Sequence, residues 1–105
     1  MATEGRLAAL KPSATTDTVL YACPASTLTH CGVFICRQGG GDETVRVAIM
    51  NDATIGNLTA EDWIIYDDAD TLQITGLILK ADETLAVWVS AATVSFVVNG
   101  FEEAA

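Results

Sequence analysis

From Thr18 onward the chain is built of short runs of β-branched and aromatic residues, and in several of them apolar side chains fall at every second position. The clearest is "ETVRVAIM" (Glu43 to Met50), where Val45, Val47 and Ile49 alternate with Thr44, Arg46 and Ala48. A period of two puts one apolar row on one face of an extended segment and a polar or small row on the other. Similar runs are "TVLYA" (Thr18 to Ala22), "LTHCGVFICR" (Leu28 to Arg37), "DWIIYD" (Asp62 to Asp67), "TLQITGLIL" (Thr71 to Leu79), "TLAVWVS" and "VSFVVNGF". Between them lie Pro24 and the segments "NDATIGNLTAED", "DDAD", "KADE" and "AAT", whose compositions belong to turns and loops. Thr59 followed three residues later by Asp62 has the form of a capping box for one short helical turn. Strands spaced roughly 8 to 14 residues apart, with almost no helical periodicity, predict an all-β chain. The expected fold is a single small β-sandwich or jelly roll of seven to eight antiparallel strands. Residues 1–16, small and polar with Pro12, read as an extended N-terminal arm outside the core. Residues 17–105 then form the β-sandwich domain.

The 105 residues suit one domain, and half of them are hydrophobic, enough for a real core anchored by Trp63 and Trp88. No apolar run approaches the roughly 20 residues of a membrane helix. The N-terminal segment lacks a basic start followed by an apolar block, so no secretion signal is expected. Fourteen acidic against five basic residues give a formal charge of −9. That balance argues against nucleic acid, whose binders need a cationic footprint, and against an anionic membrane surface. It favours solubility and leaves open docking on a basic protein surface. Three cysteines cannot form a fully paired disulfide framework. Buried thiols in a reducing cytoplasm are the simpler expectation.

Four groups of residues invite a chemical reading. The three glycines Gly39 to Gly41 follow an apolar run as a phosphate loop would, but such a loop needs a Lys and a hydroxyl before a helix. Here Asp42 and Glu43 follow and a strand begins, so the anion-stabilising helix N-terminus is missing and the glycines read as a hairpin turn. Cys23, His30, Cys31 and Cys36 are zinc-ligand types, but not at the spacing of closed zinc sites. On one strand His30 and Cys31 point to opposite faces, as do Cys31 and Cys36. The acidic group Glu61, Asp62, Asp67, Asp68 and Asp70 reads as a solvated turn, with weak calcium binding as the alternative. Trp63, Tyr66, Trp88 and Phe96 suit core or interface packing, with a sugar-stacking platform as the alternative. "NLT" at Asn57 is a glycosylation sequon that matters only on a secretory route. With one histidine there is little general-base chemistry, and no nucleophile elbow is present. No catalytic, cofactor-binding or metal residue is therefore assigned, and no enzymatic activity is expected.

The order of several segments carries a resemblance. "GRLAALKPSATTDTVLYACPA" gives a polar arm, then "VLY", then "PA"; "VRVAI", "YD" and "TGLILKADETLAVWVSAATVSFVVNGFEE" follow. Together they resemble small virion structural proteins of tailed bacteriophages, including phages of cyanobacteria and other marine hosts. In that family a "TG-apolar-x-L-x-A-x-E" strand and turn precede two terminal strands ending in "GFEE" or "GIEE". The resemblance covers most of residues 5 to 103, and its motifs are structural rather than catalytic. The cysteines and His30 lie where this chain departs most from the pattern. The resemblance implies a subunit present in many copies on the particle, made in the host cytoplasm and located in the virion. It would be a capsid decoration (cement) protein, or an accessory protein of the tail or its fibres. Its partners would be itself, as a homotrimer or other closed oligomer with the arm buried in a neighbour, and virion proteins such as the major capsid protein or tail proteins. No cofactor, nucleic acid or membrane is implied. A carbohydrate or receptor-binding module using the Trp and Asp residues is the competing class.

Overall fold

A computed structural model describes residues 4–39, 42–52 and 54–104. Among the described residues eight strands follow one another: β1 (Glu4–Leu10), β2 (Thr18–Ala22), β3 (Thr27–Arg37), β4 (Val45–Met50), β5 (Trp63–Asp68), β6 (Gln73–Lys80), β7 (Thr84–Val89) and β8 (Val94–Ala104). Two single 3-10 turns, Ile55–Asn57 and Ala60–Asp62, lie between β4 and β5. The Thr59–Asp62 capping box is present: the Thr59 amide donates to Asp62 Oδ2 at 2.9 Å. Among the described residues there is no α-helix.

The strands form two four-stranded antiparallel sheets, in the orders β1-β8-β3-β6 and β2-β7-β4-β5. We call these the first and second sheets. The all-β sandwich expected from the sequence is the fold. Alternation explains its core. Val33 and Ile35 of β3, Leu79 of β6 and Val94, Phe96 and Val98 of β8 line the inner side of the first sheet. Val45 and Val47 of β4 with Leu85, Val87 and Val89 of β7 line the inner side of the second. Each such side chain, taken fully out of water, contributes about 1.5–3 kcal/mol. A smaller apolar cluster lies on the outer side of the second sheet, where Ala48, Met50 and Ala86 are covered by Ile55 and Leu58 of the β4–β5 connection and by Trp63 at the start of β5.

Two expectations change. The glycine stretch does not close a hairpin, because β3 belongs to the first sheet and β4 to the second; the connection is an arch between sheets. Gly40 and Gly41 lie outside the described residues. Arg37 anchors this arch by donating to three backbone carbonyls: Nε to Glu43 at 3.0 Å, Nη1 to Thr71 at 2.6 Å and Nη2 to Asp68 at 2.9 Å. Residues 4–10 of the segment read as an arm are extended, but they lie on their own chain. They form the edge strand β1 against β8, with Leu7, Ala8 and Leu10 packed on the core. The physical reason is that "LAAL" supplies apolar side chains to cover the edge of the sandwich.

Candidate functional site

The residues singled out for their chemistry are dispersed. His30 lies on the outer side of the first sheet, while Cys31 beside it is buried in the core. Cys23 is buried near Thr29, at 3.2 Å from its hydroxyl. Cys36 is exposed, contrary to the expectation of buried thiols, because it sits on the outward row of β3. Burial, with a smaller contribution from Cys23, pushes the Cys31 thiol up to about 11, so at neutral pH it is an unreactive, protonated group.

The acidic group is divided among separate tasks. Asp67 forks onto Arg46, with Nε 2.6 Å and Nη2 3.3 Å from its two oxygens. Asp68 Oδ1 accepts the backbone amides of Thr71 and Asp70, both at 2.7 Å, and these hold its carboxyl below the ordinary value. Asp62 serves the capping box. Glu43, expected at the mouth of the glycine loop, is instead buried and accepts the Gly39 amide at 2.7 Å and the Thr93 hydroxyl at 2.5 Å. The arch turns this carboxylate inward, where it organises the loop. Asn57 Nδ2 donates to Asp52 at 2.7 Å within the β4–β5 connection.

Three of the four aromatics come together. Arg46 and Trp88 are direct cross-strand partners, and the guanidinium lies 3.9 Å from the Trp88 ring centroid and 4.1 Å from that of Tyr66. Trp63 meets Tyr66 edge to face at 5.6 Å. Phe96 is apart from them in the core. The patch lies on the outer side of the second sheet, and Tyr66 is 57% exposed.

The other notable surface escaped the sequence reading. On the outer side of the first sheet, Phe34, Ile78 and Phe101 remain 43%, 58% and 43% exposed. His30 stacks on Phe101 with centroids 4.6 Å apart, and its Nε2 is 2.9 Å from Glu103. Between these side chains lies a shallow depression of about 450 Å³, floored by Gly32, Gly76 and Gly100. Gly76, at φ +76°, sits where β6 loses register with β3, in the left-handed region that favours glycine. A Cβ on Gly100 would fall on the His30 carbonyl, so strand pairing itself demands the missing side chain. What the surface offers is apolar contact area, not groups arranged for bond making.

No protein-family model matches the chain. No curated protein matches it either. Two solved structures are similar in fold, each described as a pentameric capsid protein isolated from metagenomic phage sequences. One shares 14% identity at a TM-score of 0.42, over 95% of this chain and 61% of the other. The second shares 13% identity at a TM-score of 0.39, over 95% and 62%. This chain thus spans about three fifths of their length. At this level of similarity nothing about assembly or role passes from those proteins to this one.

Proposed function

We propose that the chain is a non-enzymatic structural subunit of a tailed-phage virion, acting as a capsid decoration protein that stabilises the particle through contacts between subunits. The observation that carries this reading is the exposure of apolar and aromatic side chains on the outer sides of both sheets: Phe34, Ile78 and Phe101 on one, Ile64 and Tyr66 on the other. A small subunit with apolar area on two opposite sides can be held between neighbours. The order β1-β8-β3-β6 against β2-β7-β4-β5, with all links but β4–β5 crossing between sheets, supports the jelly-roll form of the sandwich, an architecture of capsid and lectin domains. The sequence resemblance supports the same reading. Peptide quantification on purified particles of the encoding phage tests it. Many copies per particle, retained in tailless heads and lost together with resistance to heat or osmotic shock when the gene is deleted, support a decoration role. Confinement to tail fractions moves the chain to the tail-accessory alternative. Absence from the particle overturns both.

A second reading, a glycan or receptor-binding module on the virion surface, draws on the gathering of Trp63, Tyr66 and Trp88. In it, a sugar would stack on Tyr66 beside the Arg46–Asp67 pair. Binding on a glycan array that disappears with Trp63→Ala would favour it.

A further inference from the structure

We infer that the outer side of the first sheet is a self-complementary docking surface, which a second copy of this chain covers face to face about a two-fold axis. This deepens the reading as a many-copy subunit and rests on it. One face carries both halves of a contact: protruding Phe34, Ile78 and Phe101, and the glycine-floored depression beside them. Such a face can meet its own copy isologously, each protrusion entering the other's hollow.

Charge makes this the face on which a second copy can dock. Two chains of formal charge −9 repel one another at most approaches. Strand register puts Glu4, Arg6, Lys80 and Glu103 on the outward rows of this sheet, so its formal charge is zero. They gather at one end, near Phe101 and Leu28, whereas the half around Phe34, Val97 and Ser95 bears no charge. This is a face on which two copies of so acidic a chain can meet without opposing like charges.

The area is also sufficient. Four strands of seven, eleven, eleven and eight residues, at about 3.4 Å per residue and spaced about 4.8 Å apart, give a face of roughly 600 Å². Stable interfaces cover about 600–1,000 Å² on each partner, and the face reaches the lower end of that range. The His30–Phe101 stack and the His30–Glu103 pair brace the aromatic side of the hollow.

Sedimentation velocity on the full chain across a micromolar concentration range tests this in solution, without the particle. The expected result is a reversible dimer. Ile78→Glu, which puts an unpaired charge into the contact, should weaken it at least about tenfold, and Phe101→Glu should do the same. Ile64→Glu, on the opposite sheet, should leave it unchanged, and circular dichroism should show all three variants folded. A chain monomeric throughout, or an oligomer equally insensitive to Ile78→Glu and Phe101→Glu in folded protein, overturns the inference. Peptide quantification on particles is read separately. A subunit found in many copies yet monomeric in solution would sink this docking surface while leaving the structural role intact.

Discussion

The Arg46 guanidinium lies 3.9 Å from the centroid of the Trp88 ring, directly across the strand pair, while Asp67 grips its far edge. Tyr66 closes the other side at 4.1 Å. The cation is thus held between two rings and a carboxylate on a partly covered surface. There, cation–π attraction is worth about 0.5–2 kcal/mol. A double-mutant cycle of Arg46→Met and Trp88→Leu, read by urea denaturation, should give a coupling of about 1 kcal/mol, and no measurable coupling would mean the stack is incidental.

Thr84 is fully buried, and its hydroxyl has no hydrogen-bond partner among the described residues. A buried hydroxyl without a partner costs about 1–3 kcal/mol. Thr84→Val keeps the shape and the β-branch while removing the stranded oxygen. The variant should be more stable by about 1 kcal/mol, raising the melting temperature by about 5 °C. A melting temperature that falls would show that the hydroxyl is satisfied in solution.

The three thiols should separate by reactivity. Cys36 is exposed, whereas Cys23 and Cys31 are buried and Cys31 is pushed up to about 11. Titration with a thiol-specific chromophore near pH 8 should show one fast group, absent in Cys36→Ser, and two that react only on unfolding. The linkage has a definite sign. A thiol raised from 9.0 to about 11 contributes stability that is fully present below pH 9 and is lost as pH rises toward 11. Cys31→Ala should therefore flatten the alkaline limb of the stability curve.

Asp68 acts in the opposite direction. Its carboxyl is held below the ordinary 3.8 by the amides of Thr71 and Asp70. A depressed acid contributes stability that is present above 3.8 and fades as pH falls through its lowered folded value. Asp68→Asn should lose stability at neutral pH and show a shallower decline on acidification than the parent. Parallel acid limbs for the two proteins would remove Asp68 from this account.

Much of the architecture was legible because it depends on period and on local chemistry. Val45, Val47 and Ile49 mark the inner row of β4, and Thr59 and Asp62 announce their own capping box. What escaped depends on partners distant in the chain. Nothing in "GGGDET" says whether the next strand returns to the same sheet or crosses to the other. The crossing shows only in the pairing of β4 with β5 and β7, and Arg37 braces it through carbonyls at Glu43, Asp68 and Thr71. "LAAL" reads as part of a polar arm until β8 is seen to offer it an edge. The aromatic patch is partly visible in the sequence, which groups Trp63, Tyr66 and Trp88 but also Phe96, a core residue. The fact that Arg46 sits between Tyr66 and Trp88 follows from register alone. The hollow on the first sheet had no signal: Gly32, Gly76 and Gly100 come from three strands and become one floor only through pairing.

The central claim, that this sandwich is a repeated structural part of a virion, is tested most directly by a cryo-EM map of the intact particle. Eight-stranded density of this size is expected at regularly repeated positions, with its outer sheet faces in contact with neighbouring subunits. A complete, infectious particle whose map is fully assigned to other chains would contradict it.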